Sequence, residues 1–219
     1  VALAFKLSRR RDVTLPGGGG LVIKQAPGPR PPESVPLRRE ATLYWLATHT
    51  DAMAPLRRFL PPYYAFDDLD HILVLQRVKG ARTLYSVLLE SNQCDERLAR
   101  LQAEALAACH SVPAHAVLGQ PAGAALDQAV PWALNVDAWR RQRDTPVASE
   151  FVAIALGCKP FCDLLNELRL HWRRSSLIHG DVRSANFLVT EDGGEGPGLY
   201  LIDWETAAVG DPCWDLAGV

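Results

Sequence analysis

His179-Gly180-Asp181-Val182-Arg183-Ser184-Ala185-Asn186-Phe187-Leu188-Val189, followed shortly by Leu201-Ile202-Asp203-Trp204-Glu205, is the stretch that decides how this 219-residue chain is read. Two short apolar runs, residues 187–189 and 199–203, flank the Gly-rich interval 193–198, which is the pattern of a β-hairpin. Short strands hold the groups at their ends rigidly, and loop tips leave those groups open to a ligand. Asp181 and Asn186 stand five positions apart, so one loop presents both from its two ends. Asp203 ends the partner strand, and the hairpin therefore brings it toward Asn186.

Carboxylate and carboxamide oxygens suit a hard cation such as Mg²⁺, which keeps several waters and binds phosphate oxygens. A separate carboxylate suits accepting a hydroxyl proton. The set reads as phosphoryl transfer, with Asp181 orienting and deprotonating the nucleophile and Asn186 and Asp203 holding metal on nucleotide phosphates. Each residue alone is an ordinary turn former; the joint spacing carries the reading. Such chemistry also needs a cation on the phosphates, fixed by a carboxylate from a helix. Lys24 ends the run Val22-Ile23-Lys24, and Glu40 lies sixteen residues on, early in a helical pattern. Taken singly they are a solvated strand end and an acid placed for the helix dipole; their order along the chain is what the C-terminal motif demands.

Working outward, Leu3, Phe5 and Leu7 alternate as in a strand, residues 8–12 form a polar Arg-rich turn, and residues 13–15 a short second strand. Pro16 and Gly17 to Gly20 connect to a third strand at 21–24, and residues 27–36 are a Pro-rich loop. A helix follows with Pro36 at its start and Leu37, Ala41, Tyr44 and Leu46 inward. Pro55, Pro61 and Pro62 mark a loop, and a strand pair at 63–66 and 72–77 turns at Asp67, Asp68 and Asp70. Beyond Gly80 the period becomes helical at 84–89, 95–110, 132–143 and 150–174, the last broken near Gly157 and Pro160, with a loop at 111–131 and a strand at 177–179. This is an α+β plan: residues 1–79 form a small antiparallel lobe with one helix, residues 80–219 a mainly helical lobe, and a cleft lies between.

Composition narrows the field. Hydrophobic residues are 48% and charged residues 22%, which is globular and not disordered. Lys plus Arg is 23 against 25 for Asp plus Glu, a net charge of -2, which argues against a protein that grips nucleic acid by charge. No apolar run approaches the roughly 18 residues of a membrane helix. Five cysteines, none in CxxC spacing, support neither a disulfide framework nor a zinc ribbon, and fit a reducing cytoplasm. The first residue is Val and no signal-peptide pattern follows, so the natural start is expected a few residues upstream.

Through Lys24, Glu40, residues 179–186, Ile202-Asp203-Trp204-Glu205, Gly210-Asp211-Pro212 and Asp215-Leu216-Ala217, the chain resembles the aminoglycoside phosphotransferase and choline kinase family. The helix end from Leu106 to His110 is similar as well, and the likeness runs from about Ser8 to Leu216. The resemblance implies a bilobal protein-kinase-like fold that uses ATP and Mg²⁺. It implies that Lys24 contacts the α- and β-phosphates and pairs with Glu40, and that backbone groups from Gln76 to Val78 bind adenine. It implies Asp181 as catalytic base, Asn186 and Asp203 as metal ligands, and Asp215, with Asp211 near it, as a brace for the catalytic loop. Arg183 stands where the family often has His or Lys, in a position to neutralise charge developing on the transferred group. Trp204, next to Asp203, is placed to pack beneath the nucleotide.

The turn that covers phosphate in the family falls at residues 8–12 and has no glycine. Arg9, Arg10 and Arg11 either set a guanidinium on a phosphate or form a solvated basic turn. Relatives continue beyond the position of Val219 with helices that help form the acceptor pocket, so a truncated chain is expected. The acceptor hydroxyl belongs to a small molecule, such as an aminoglycoside, an amino alcohol or a sugar, or to Ser or Thr of a peptide in natural-product maturation. Acids of the helical lobe such as Asp137 and Glu167 are interspersed with Arg140, Arg141 and Arg169, so no acidic pocket for a cationic substrate stands out. The alternative is an inactive pseudokinase that serves a partner protein. Neither nucleic acid nor a membrane is expected as a partner.

Overall fold

The computed structural model describes residues 9–15, 19–28, 34–91, 95–128, 130–142, 149–190 and 198–219. The expected strand around Leu3, Phe5 and Leu7 lies outside them. In the N-terminal part, β1 (Arg9–Thr14), β2 (Gly20–Gln25), β3 (Tyr63–Asp67) and β4 (Ile72–Gln76) form one antiparallel sheet in the order β1-β2-β4-β3. Residue type explains the order. The inner strands read Gly-Leu-Val-Ile-Lys-Gln and Ile-Leu-Val-Leu-Gln, rich in the β-branched and apolar residues that suit a central strand, with Leu73 and Leu75 buried and Ile72 and Val74 half-buried. Strand β1, outermost among the described residues, reads Arg-Arg-Arg-Asp-Val-Thr, charged as sheet edges often are.

That strand corrects the expectation of a turn at residues 8–12. Polar side chains gave the turn reading, but antiparallel pairing with β2 satisfies the backbone, and the charges remain exposed. The glycine run instead sits in the β1–β2 connection, where Leu15 N donates to Gly19 O across 2.9 Å.

Helix α1 (Val35–His49) begins with Pro36 in its first turn, where a missing N–H does no harm. It buries Leu37, Glu40, Ala41, Leu43, Tyr44, Leu46 and Ala47. The Pro55 region, expected as loop, holds a 3-10 turn (Asp51–Met53) and the short α2 (Ala54–Arg57), again with proline at the helix start. At the β3–β4 turn Asp67 Oδ1 accepts from the N–H groups of Leu69 and Asp70.

The chain continues through β5 (Arg82–Thr83), α3 (Leu84–Ser91) and α4 (Glu96–His110), whose N-cap Asp95 accepts from Arg97 N at 2.9 Å. Residues 111–131, expected as loop, carry α5 (Ala114–Leu118) and a 3-10 turn (Pro121–Leu126), both too short to display a period. Next come α6 (Val136–Gln142), α7 (Ser149–Gly157) and α8 (Lys159–Leu170), with the expected break at Cys158. The C-terminal part contains β6 (Ser176–Ile178), β7 (Phe187–Val189), β8 (Leu199–Leu201), β9 (Ala208–Gly210) and α9 (Cys213–Leu216). Strands β5, β7 and β8 form one small sheet, and β6 pairs with β9 in another. The fold is α+β, as expected.

Two compact units result: residues 1–127 with 175–219, and residues 128–174. The expected boundary near Lys79 and Gly80 falls inside the first unit, between β4 and β5. That unit's core includes Leu43, Leu46, Met53, Leu56, Phe59, Leu73, Phe187, Leu199 and Trp204, all sealed from solvent. Burying side chains of this size contributes about 1.5–3 kcal/mol each. Backbone stitching adds to it, because Leu201 N donates to Phe59 O at 2.8 Å. In the second unit Trp139 packs edge-on against Phe161 at 5.9 Å and donates its indole N–H to Ala133 O. Among the described residues no helix is long and apolar enough to cross a membrane.

Candidate active site

Helical spacing turns Glu40 inward. Leu37 and Tyr44, three before and four after it, share its face of α1, so the carboxylate is carried into the core with them. A buried carboxylate persists only with a partner. Lys24, the fifth residue of β2, supplies one: Nζ donates to Glu40 Oε1 at 2.8 Å and Oε2 at 2.7 Å, and to Asp203 Oδ1 at 2.7 Å. Lys24 is 6% exposed and Glu40 0%. Burial works against the ammonium, yet Glu40 and Asp203 outweigh it and raise the Lys24 pKa above its ordinary value. Burial pushes Glu40 upward, while the ammonium in contact with both its oxygens pulls the other way.

Asp203 reaches this group through an uncommon backbone. Its φ of 69° and ψ of 55° lie in the left-handed region, which Asp tolerates better than most side chains. The following 3-10 turn (Trp204–Thr206) is tied to α1 by Arg39, whose Nη1 donates to Glu205 O at 2.6 Å. The neighbouring Arg38 makes an exposed pair with Asp68, and nothing in the sequence alone separates the two arginines. Tyr44 was expected only as core. It is stacked 6.4 Å from Tyr63, and its buried hydroxyl has no partner among the described residues.

The loop from His179 to Asn186 is braced from below. Asp215 is buried; its Oδ2 accepts from His179 N and Oδ1 from Gly180 N, both at 2.8 Å, and Oδ2 also meets His110 Nε2 at 2.9 Å. Gly180 has φ +84°, and a Cβ there would stand 2.5 Å from Thr206 O. Asp181 N donates to His179 Nδ1, so the ring proton sits on Nε2 and is donated to Ile202 O at 2.9 Å. Burial lowers the His179 pKa and keeps the ring neutral. Its ring centroid lies 4.5 Å from that of Trp204, the rings tilted by 56°, and the sealed Trp204 donates its indole N–H to Leu201 O.

On the open side of this brace, Asn186 Nδ2 donates to Asp181 O at 2.8 Å and to Asp181 Oδ2 at 3.1 Å. Arg183 Nη2 lies 3.0 Å from the same carboxylate oxygen, with the two side chains 52% and 35% exposed. Ile202 N donates to Asn186 O at 2.9 Å, which fixes the Asn186 backbone beside the residue preceding Asp203.

A cavity of about 280 Å³ adjoins the buried group. Lys24, Glu40, Gln76 and Val78 line it, with Leu75 and Ile202 among its apolar walls. The N–H groups of Gln76 and Arg77 are held by Pro62 O and Gly20 O, both at 2.8 Å, so the segment after β4 is fixed against the sheet. The eight expected site residues therefore fall into two clusters. Lys24, Glu40, Gln76 and Val78 surround the cavity, with Asp203 joined through Lys24; Asp181, Arg183 and Asn186 form a second cluster outside the cavity lining. The donor set fits a hard divalent cation. Asn186 uses its amide N–H groups on Asp181, which leaves Oδ1 as an acceptor, and in the other cluster Asp203 and Glu205 carry carboxylate oxygens within 4.8 Å of each other, whereas both oxygens of Glu40 are on Lys24.

The profile of the Phosphotransferase enzyme family matches residues 7–219. The chain is similar to the macrolide 2'-phosphotransferase MphH of Brachybacterium faecium, with 22% identity and a TM-score of 0.53 over 96% of this chain and 66% of that one. It is similar to aminoglycoside 2'-phosphotransferase-IIIa in its GDP complex, with 15% identity and a TM-score of 0.62 over 97% and 71%. It is also similar to the choline kinase LicA of Streptococcus pneumoniae, with 16% identity and a TM-score of 0.57 over 99% and 66%. Likeness at these identities shows the fold, and the chain spans about two thirds of the length of these structures. No curated protein sequence matches it.

Proposed function

Because this chain belongs to the Phosphotransferase enzyme family, we propose that it transfers the γ-phosphoryl group of ATP to the hydroxyl of a small molecule. One observation carries the reading: a single ammonium holds Glu40 and Asp203 together at 2.7 Å beside a cavity of about 280 Å³ lined by Lys24, Gln76 and Val78. Small-molecule acceptors are favoured by the named substrates of the similar structures, macrolide, aminoglycoside and choline. A peptide Ser or Thr remains the second arm of the acceptor test.

In this reading β1 to β4 with α1 form the nucleotide-covering lobe, residues 1–79, and residues 80–219 carry the catalytic loop and metal site. The backbone at Gln76 and Val78 receives adenine at one end of the cavity. Lys24, held by Glu40, exchanges its contact with Asp203 for the α- and β-phosphates. Asn186 and Asp203 hold Mg²⁺, which when bound neutralises charge on the phosphate oxygens. Asp181 orients the acceptor hydroxyl and takes its proton while the new O–P bond forms and the bond to ADP breaks. Arg183, already at Asp181, places positive charge where the transferred group gains negative charge. His179 and Asp215 act through the loop that presents Asp181. A cytoplasmic setting supplies ATP and agrees with four free thiols, Cys109, Cys158, Cys162 and Cys213, among the described residues.

The test is thermal unfolding of the chain with ATP, Mg²⁺ or both, followed by phosphate-transfer screening against hydroxylated metabolites and Ser/Thr peptides. Nucleotide plus metal should stabilise the protein beyond either alone. Asp203→Ala should remove the metal-dependent part. A wild-type protein indifferent to nucleotide overturns the reading.

A further inference from the structure

We propose that Arg10 is a phosphate-binding residue of the nucleotide cavity, a role that rests on the nucleotide reading above. Three consecutive arginines open β1, and the strand separates them. Successive side chains point to opposite faces, so Arg10 and Asp12 share one face while Arg9 and Arg11 take the other. Register then selects the face. Arg10 stands directly opposite Lys24, and Asp12 opposite Val22. All four of these residues line the cavity, and neither Arg9 nor Arg11 does.

Directly opposed residues of an antiparallel pair bring their Cβ atoms to roughly 4.5–5.5 Å, and like charges there repel. The repulsion between Arg10 and Lys24 is tempered on each side: Lys24 by Glu40 and Asp203, Arg10 by Asp12 Oδ1 at 3.2 Å from its Nε. That contact uses the side edge of the guanidinium. The Nη1 and Nη2 groups keep their N–H donors, with no protein acceptor among the described residues. A planar fork of donors beside an ammonium is the arrangement that a polyphosphate complements, and it suits arginine more than lysine. The cavity lining holds Arg10, Lys24 and Arg77 against Asp12 and Glu40, so its side chains sum to positive charge. The strand thus supplies a side-chain contact to phosphate from a stretch that lacks glycine.

Titration calorimetry of the full chain with Mg²⁺-ADP and with adenosine tests the assignment, using wild type, Arg10→Gln and Arg11→Gln. We expect Arg10→Gln to weaken ADP about tenfold or more, the scale of one charge-assisted hydrogen bond, and to leave adenosine within twofold. Arg11→Gln should leave both ligands within twofold. Matching circular dichroism and melting midpoints for the variants confirm that the sheet is intact. ADP binding by Arg10→Gln equal to wild type overturns the proposal. Equal loss of ADP and adenosine also overturns it, because the side chain then covers the base. Either result leaves the nucleotide reading standing. Absence of ADP binding by wild type removes that reading and this one together.

Discussion

Glu40 and Asp181 are both carboxylates of the candidate site, and they live in opposite surroundings. Glu40 is sealed in the core with both oxygens on Lys24, and removing either partner strands a charge without water. Asp181 stands at a loop tip, with its side chain 35% exposed and Arg183 and Asn186 at its edge. The buried pair holds the architecture as well as the site. The open cluster, to which the proposed function gives the chemistry, stands on a frame that Asp215, His179 and Gly180 fix. Substitutions should therefore separate: those in the first region read out as stability, those in the second as turnover.

The largest separation is expected at Asp181. Asp181→Ala should lower kcat by about 10²–10⁴-fold, the usual worth of a general base, with nucleotide affinity and melting midpoint close to wild type. Steady-state kinetics with calorimetry measure it, and a parallel loss of nucleotide binding would merge the two regions. Glu40→Ala should lie at the other pole. It leaves the Lys24 ammonium with Asp203 alone and should cost about 3–5 kcal/mol in chemical denaturation. Retained stability in that variant would mean that the pair serves the ligand only.

Gly180→Ala sharpens the comparison because it strikes the frame of the open cluster. Its positive φ and the approach to Thr206 O predict a loss of about 1–3 kcal/mol, together with reduced kcat from a displaced Asp181. The smallest effect is a pH dependence at His179. Burial depresses its pKa in the folded chain, so the unfolded chain binds the proton more readily. Stability present above pH of about 6.5 is then lost as pH falls toward the folded value, by at most about 1.4 kcal/mol per pH unit for one proton. NMR titration of the imidazoles should find His179 still neutral when an exposed histidine is half protonated.

Much of the site was legible because its parts are local in sequence. Asp181 to Asn186, Asp203 and the Asp211 to Asp215 stretch announce themselves by spacing, and the strand and helix that deliver Lys24 and Glu40 follow from hydrophobic pattern. What escaped notice depends on pairing between distant segments. Arg9 to Asp12 look like a turn until β2 lies beside them, because their charged, exposed side chains show no apolar alternation. Strand β9 is apparent only through its pairing with β6. The inward turn of Arg39 depends on Glu205 O, 166 positions away, and the left-handed backbone of Asp203 carries no residue signature of its own.

The Lys24–Asp203 contact joins residues 179 positions apart, and the unit that contains it is interrupted by residues 128–174. During synthesis the N-terminal sheet leaves the ribosome long before its distant carboxylate exists. At translation rates of roughly 5–20 residues per second, Asp203 follows the end of β4 by about 6–25 seconds. Through that interval the nascent chain carries a lysine whose final surroundings are still unwritten.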